Sequence, residues 1–149
     1  MPLYYLDTSA LVKPYVREQG TDAMLRLLSG PPGDQFAILA LTSVEFRSAV
    51  RRRQRAGDIA PVDAVKMIEQ FQHHTTSRYL RQMVSDAVLE TALCVADSHH
   101  LRAYDAMQLA GCHALRHKGV SDPVFVCSDA RLCDAAREDG FPTLNPAAA

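Results

Sequence analysis

Short apolar runs alternate with longer stretches of helical periodicity along this chain, and no other sequence feature restricts the fold as much. The apolar runs predict buried strands at residues 3–6, 36–40, 124–127 and 142–144. The intervening stretches predict helices at residues 8–17, 21–28, 42–56, 61–73, 86–98, 103–117 and 129–138. Because strands that alternate with helices form a parallel sheet covered by helices, we expect an α/β fold.

Two segments of this pattern are less regular. Pro14 is expected to bend or shorten the first helix, because proline cannot donate a backbone hydrogen bond. Residues 75–83 fit neither period, and a short edge strand around Tyr79 and Leu80 is one interpretation. The sequence contains no repeat, linker or low-complexity segment. We therefore expect residues 1–149 to form a single domain with its own core.

Charge and composition set limits on the class of protein. The net charge of −1 does not indicate a nucleic-acid binder, so any basic surface must be local. The N-terminal residues lack a basic signal-peptide region, and no apolar stretch is long enough to span a membrane. The expectation is a cytoplasmic protein that makes no membrane contact. The pairs His73–His74 and His99–His100 fall near helix ends, where a surface role is expected.

Four acidic residues occupy similar places, each at the start of a predicted helix. They are Asp7 in LYYLDTSALVK, Glu45 in LTSVEFRSAV, Asp105 in LRAYDAMQLA and Asp129 in VFVCSDARL. Two of them directly follow predicted strands, whose carboxyl ends form the binding crevice of a parallel sheet. Carboxylates about 5 Å apart repel by roughly 3 kcal/mol per pair, so such a cluster favours a divalent cation. Oxygen ligands of this kind suit Mg²⁺ or Mn²⁺.

Each acid also has a purely structural explanation. Acidic side chains favour the first turn of a helix because they complement its dipole. Thr42 and Glu45 match the capping box, in which each side chain bonds to the other's backbone N–H. Ser128 could cap the helix that Asp129 begins. Taken singly, the acids fit these structural roles better; taken together, they favour a site.

The four acidic motifs also resemble, in order and along nearly the whole chain, those of the PIN-domain ribonucleases. The nearest resemblance is to the VapC toxins of type II toxin–antitoxin pairs. It implies a PIN-like three-layer α/β/α fold with a central, mostly parallel sheet flanked by helices. Two departures are mild: Tyr104 stands where Pro is common, and Met107–Gln108 replaces a common Leu-His.

The resemblance implies a Mg²⁺- or Mn²⁺-dependent endoribonuclease that hydrolyses RNA phosphodiester bonds. The four acids then match the family's catalytic, metal-binding residues. Three hydroxyl residues match positions that support those ligands: Thr8, Ser9 and Ser128. The resemblance further implies a small antitoxin as partner and a homodimer.

Basic residues suggest how RNA would reach the site. Arg52 lies within roughly 20° of the direction of Glu45 on a helical wheel, two turns further on, so we expect Arg52 to bind RNA. Arg55 belongs to a stripe that points away from Glu45. The apolar segment 62–80 is a candidate surface for the antitoxin, although its apolar stripe could equally cover the core.

Other functions remain to be weighed against the nuclease. A catalytically silent PIN-fold protein that binds RNA or a partner is the main alternative, and retention of all four acids argues against it. A phosphotransfer receiver or nucleotide hydrolase is disfavoured, because the chain has no phosphate-binding glycine loop and no Lys after the strand at 124–127.

Overall fold

A parallel sheet forms the centre of the protein in residues 1–148, which the computed structural model describes. Its strands are β1 (Leu3–Leu6), β2 (Gln35–Leu39), β3 (Leu80–Gln82), β4 (Val124–Val126) and β5 (Thr143–Leu144). The helices are α1 (Thr8–Leu11), α2 (Thr21–Leu28), α3 (Leu41–Arg55), α4 (Pro61–Ser77), α5 (Asp86–His99), α6 (Ala103–His117) and α7 (Ala130–Glu138). Residue 149, the last of the predicted domain, lies outside the described part.

The order of the strands locates a binding crevice. The sheet runs β3-β2-β1-β4-β5, and every adjacent pair is parallel. The chain proceeds from β1 to β2 and β3 on one side, then returns to place β4 on the other side of β1. This reversal makes the carboxyl ends of β1 and β4 a topological switch point, where open α/β sheets bind their ligands.

Helices cover both faces of the sheet, which confirms the predicted α/β/α layers. Alternate strand residues point to opposite faces. Tyr5 and Leu39 pack against α5, α6 and α7, whereas Leu6 and Ile38 pack against α1 to α4. Each core therefore draws on every second residue of β1 and β2. None of the helices in residues 1–148 is both long and apolar enough to cross a bilayer.

Most predicted elements agree with the structure to within one residue at each end, and two helices differ in length by four residues or more. α1 ends at Leu11, because Pro14 follows and the chain continues as turns. α4 continues to Ser77, four residues beyond its predicted end. The hydroxyls of Thr76 and Ser77 donate to the carbonyl of His73 and support the added turn. The edge strand suggested near Leu80 is confirmed as β3.

A carboxylate at the end of α7 ties three helices together. The two oxygens of Asp139 bond His99 Nε2 at 2.8 Å and His113 Nε2 at 2.7 Å. His99 ends α5, and its side chain is only 8% exposed. The predicted surface role of His99 is therefore wrong, because the helix end where it lies packs against α7.

Candidate active site

Asp7 lies directly beyond β1 and is the N-cap of α1. Its Oδ2 accepts hydrogen bonds from the backbone N of Ser9 at 3.1 Å and from Ser9 Oγ at 2.5 Å. The side chain is almost fully buried. Burial raises the pKa of Asp7 to about 6, the bonds from Ser9 oppose that rise, and the charges of Glu45 and Asp105 add to it. Within residues 1–148, no cation offsets the charge of the Asp7 carboxylate.

Glu45 lies one turn inside α3 rather than in its first turn, and the predicted capping box is absent. The helix begins at Leu41, Ala40 is its N-cap, and no side chain caps it. Glu45 Oε1 instead accepts from Thr8 Oγ1 at 2.8 Å and from Gln108 Nε2 at 2.6 Å. Burial raises the pKa of Glu45, and these two bonds partly offset that rise. The carboxylate is therefore held by residues from α1 and α6.

Gln108 belongs to the site, although the sequence analysis named it only as a departure from the family pattern and gave it no role. It is 1% exposed, and its Nε2 also lies 3.0 Å from Thr42 Oγ1 and 3.1 Å from Thr8 Oγ1. The Tyr5 hydroxyl donates to Gln108 Oε1 at 2.7 Å, so the amide nitrogen must face Glu45. A Gln on the buried face of a helix, three residues after Asp105, was the available signal.

Gly111 makes room for this network. It lies one turn after Gln108 on α6, and a Cβ added there would stand 2.4 Å from the Tyr5 hydroxyl oxygen. No side chain can be accommodated so close to a buried phenol without displacement of one of the two. The glycine therefore lets Tyr5 pass beneath α6 and reach Gln108.

Asp105 and Asp129 complete the acidic quartet, which is the name used below for these two residues with Asp7 and Glu45. Asp105 is in the first turn of α6. Burial raises its pKa, the charge of Asp129 raises it further, and Arg102 and Arg131 lower it. Asp129 is the N-cap of α7, because its Oδ1 accepts from the backbone N of Arg131 at 2.9 Å and of Leu132 at 3.2 Å.

The four acids surround one hollow, called the acidic cleft below. It has a volume of about 390 Å³, and its lining includes the whole quartet together with Thr8, Ser9, Arg52 and Tyr104. Asp7 follows β1 and Asp129 follows β4, so the cleft lies at the topological switch point. The structure thus brings together the four predicted acids and the predicted RNA-binding arginine.

Ser128 supports the site through its backbone and does not cap α7. Its N–H donates to Ser9 Oγ at 3.0 Å, which joins the loop after β4 to the residue that holds Asp7. Its own hydroxyl is buried and has no hydrogen-bond partner in residues 1–148. The predicted capping role is wrong because Asp129 itself caps the helix. A buried hydroxyl without a protein partner is a group that a bound water or ion commonly satisfies.

The quartet offers the donor chemistry that magnesium or manganese requires, although not a preformed chelate. In residues 1–148, no three His, Cys, Asp or Glu side chains are grouped closely enough to hold one ion directly. Magnesium, however, commonly keeps several waters and takes only one or two carboxylates. The carboxylate and hydroxyl oxygens of the lining, the raised pKa values of Asp7 and Asp105 and the buried Ser128 hydroxyl fit a hydrated divalent cation.

A larger hollow lies next to the acidic cleft, between α3 and α4. This apolar groove has a volume of about 700 Å³, and Phe46, Ile68 and Phe71 contribute to its floor. It contains no acidic residue. Size alone would make it the first candidate for a site. We assign the chemistry to the smaller cleft, because only that cleft gathers ionisable groups with shifted pKa values.

The PIN domain family model matches residues 4–138. This chain belongs to the PIN domain family. The matched residues include all seven helices of the described part, the whole of β2, β3 and β4 and all but the first residue of β1, and they contain the entire quartet. No curated relative matches the chain by sequence.

Solved structures show the same PIN architecture. A toxin–antitoxin complex from Klebsiella pneumoniae is 18% identical, with a TM-score of 0.61 over 96% of this chain and 97% of that one. VapBC-1 from nontypeable Haemophilus influenzae is 13% identical, with a TM-score of 0.63 over 97% and 98%. VapBC2 from Rickettsia felis, bound to a promoter DNA fragment, is 14% identical, with a TM-score of 0.65 over 96% and 98%. At these identities the similarity shows the fold.

Proposed function

We propose that this PIN domain is a metal-dependent endoribonuclease and the toxin of a toxin–antitoxin pair. The observation that carries the proposal is the convergence of four carboxylates on one cleft at the switch point of the sheet. Burial and the charges of neighbouring acids raise the pKa values of Asp7, Glu45 and Asp105, which favours occupation of the cleft by a divalent cation. The structural similarity to proteins of toxin–antitoxin complexes supports the biological role.

Different residues of the cleft would bind the metal, position its ligands and bind the RNA. Asp7, Glu45 and Asp105 would hold one or two metal ions, with Asp129 as a further ligand or as a support for them. Bound magnesium or manganese would supply charge neutralisation at a phosphodiester and acidification of water. Ser9 orients Asp7, and Thr8 and Gln108 orient Glu45. Arg52 lines the same cleft and would bind an RNA phosphate.

Cleavage of total RNA tests the enzyme proposal. Purified protein is incubated with RNA in Mg²⁺, in Mn²⁺ and in EDTA, and a parallel reaction contains single-stranded DNA. We expect discrete RNA fragments with either metal and none with EDTA. Asp97→Asn is the matched control, because Asp97 is exposed on α5 and lies outside the cleft. Metal-independent degradation, or equal loss of activity in Asp97→Asn and Asp7→Asn, would contradict the proposal.

A silent binding protein is the second candidate, and one observation favours it. The carboxylates are not gathered into a three-ligand chelate in residues 1–148. If this candidate is correct, the protein retains RNA in a binding assay without cleaving it in either metal. Calorimetric titration with Mn²⁺ separates the two candidates further, because a silent protein need not bind metal.

The apolar groove is the surface that we propose for an antitoxin. Ile68 and Phe71 of the predicted docking segment are largely buried in the core, so the stripe partly serves the fold. Val62 and Val65, about two turns and one turn before Ile68 on α4, remain 61% and 44% exposed. Co-expression with a candidate antitoxin tests this assignment. Val65→Glu should weaken the complex and leave RNA cleavage intact, whereas an undisturbed complex would place the partner elsewhere.

A second group of exposed apolar side chains is a candidate surface for the predicted homodimer. Leu80 and Met83, at the edge strand β3, and Leu89 and Leu93, on α5, are 44% to 68% exposed. An exposed strand edge with apolar neighbours favours association. Analytical ultracentrifugation should show a dimer that Leu93→Glu converts to monomer. A wild-type protein that sediments as a monomer at every concentration would remove this proposal.

A further inference from the structure

Three carboxylates of the acidic quartet each use one oxygen for hydrogen bonds within the protein. In residues 1–148, the bonds to Asp7 fall on Oδ2, those to Glu45 on Oε1 and those to Asp129 on Oδ1. Among side chains of this part that are not exposed, Ser128 Oγ is the only fully buried polar atom without a partner. Asp7 and Glu45 line the acidic cleft, so their second oxygens reach that cleft.

The donors that hold Glu45 differ from those that hold the other two acids. The carboxylates of Asp7 and Asp129 accept from residues two or three positions further along the chain. Glu45 instead accepts from Thr8 and Gln108, which are 37 and 63 residues away. The direction of its second oxygen therefore depends on contacts between helices rather than on the turn in which it lies.

The amide of Gln108 could satisfy its hydrogen bonds in two ways. In the observed arrangement, Nε2 lies 2.6 Å from Glu45 Oε1, 3.0 Å from Thr42 Oγ1 and 3.1 Å from Thr8 Oγ1. Because a hydroxyl can donate as well as accept, an amide turned over would find donors for Oε1 in the same two threonines. Glu45 would then lose the amide bond, and the single hydroxyl proton of Thr8 would be drawn away from it.

Tyr5 favours the observed arrangement from below α6. Its hydroxyl donates to Gln108 Oε1 at 2.7 Å, and this is the one hydrogen bond that the amide oxygen receives in residues 1–148. Both side chains are almost fully buried, so solvent cannot replace that bond. In the turned arrangement the phenol would face the amide nitrogen and its proton would lose its acceptor, which is unfavourable for a buried donor.

We infer that Tyr5 is a positioning residue for the divalent cation of the acidic cleft, an inference that rests on the proposed function. The phenol holds the Gln108 amide, the amide holds Glu45 Oε1, and Glu45 Oε2 is thereby kept toward the cleft. Tyr5 does not itself line the cleft, so its effect passes through Gln108. Partners that orient a metal ligand in this way commonly change metal affinity about 10- to 100-fold.

A double-mutant cycle measured by calorimetric titration with Mn²⁺ tests this inference. Its four members are the wild type, Tyr5→Phe, Gln108→Met and the protein with both changes. Met has about the length of Gln and lacks its donor and acceptor. Tyr5→Phe should weaken Mn²⁺ binding on the order of tenfold, and Gln108→Met at least as much. When Gln108→Met is already present, Tyr5→Phe should cause no further loss, because its effect has no other route.

Tyr4→Phe is the matched control for loss of a phenol hydroxyl from the same strand. Tyr4 adjoins Tyr5 on β1 but packs on the opposite face of the sheet, where its ring stacks on Phe36. The change keeps this stacking, so Tyr4→Phe should bind Mn²⁺ like the wild type. Circular dichroism melts show that each variant is folded at the temperature of the titration.

RNA cleavage supplies a second measurement. The Mn²⁺ concentration that gives half-maximal cleavage should rise in Tyr5→Phe by the same factor as the dissociation constant, whereas the rate at saturating Mn²⁺ should stay near that of the wild type. A hydroxyl that serves only the packing of the core would lower the melting temperature and change neither quantity.

Three results would each overturn the inference. They are wild-type affinity for Mn²⁺ in Tyr5→Phe, an equal loss from Tyr5→Phe with and without Gln108→Met, and no binding of Mn²⁺ by the wild type. Metal-dependent cleavage by the wild type with any of these results leaves the nuclease proposal standing. Mn²⁺ binding that depends on Tyr5, without cleavage, does the reverse.

Discussion

Replacement of Asp7 by Asn separates a metal-binding carboxylate from a simple helix cap. The change keeps the shape of the side chain and its ability to accept from Ser9, and Asn caps helices about as well as Asp. It removes one charge from the acidic quartet. If Asp7 is catalytic, cleavage of RNA should collapse. If it is only a cap, cleavage should continue.

The structure gives a magnitude for the accompanying change in stability. Burial raises the pKa of Asp7 from 3.8 to about 6. Each pKa unit corresponds to about 1.4 kcal/mol, so the ionised side chain lowers the free energy of unfolding by about 3 kcal/mol above pH 7. This cost is absent below the unfolded pKa of 3.8, grows as the pH rises from there, and is complete above about 6. Asn cannot ionise and never incurs it.

Thermal melts in EDTA measure this difference. Near pH 4 the variant and the wild type should melt together, and near pH 7 the variant should melt about 6 to 12 °C higher. Mg²⁺ at about 100 times its dissociation constant should return about 2.7 kcal/mol to the wild type and much less to the variant. Asp97→Asn supplies the control, because Asp97 is exposed.

Two results would refute this reasoning. If the difference in melting temperature between the variant and the wild type is the same at pH 4 and pH 7, ionisation of Asp7 does not destabilise the folded protein. Cleavage retained by Asp7→Asn would remove Asp7 from the catalytic residues. Loss of cleavage in a variant that melts higher than the wild type would be the clearest support for the catalytic assignment.

Three further substitutions test the surroundings of the site. Gln108→Leu should lower cleavage on the order of 100-fold and stability by about 1–3 kcal/mol, measured by gel assay and urea unfolding, because Glu45 loses its donor. Gly111→Ala should destabilise by about 1–3 kcal/mol through its clash with Tyr5, and an unchanged melt would contradict the packing argument. Burial raises the pKa of Asp139, but bonds from two histidines hold it below its usual value. Asp139→Asn should therefore cost about 1–2 kcal/mol at neutral pH and progressively less as acid protonates the wild-type carboxylate, as urea titrations at several pH values can show.

The sequence by itself determined the elements and the layers of this PIN domain. Strand and helix periods are local properties, so β1, α2 and α6 begin and end where the pattern predicts. The predicted ends of elements were wrong where short-range hydrogen bonds add to the pattern. The hydroxyls of Thr76 and Ser77 extend α4 past its predicted end, for example. The four acids could also be identified as site candidates from the sequence. Three of them lie directly at the junctions of elements, and Glu45 lies only one turn inside α3.

Only the tertiary structure decided what holds those acids. Glu45 matches a capping box in sequence, yet its partners are Thr8 and Gln108, from α1 and α6. Tyr5 and Gln108 are 103 residues apart in the chain and 2.7 Å apart in space. No local pattern encodes such a pair, because it depends on which strand lies beneath which helix. The order of β1 and β4 in the sheet, likewise set by long-range packing, is what turns separate acidic motifs into one cleft.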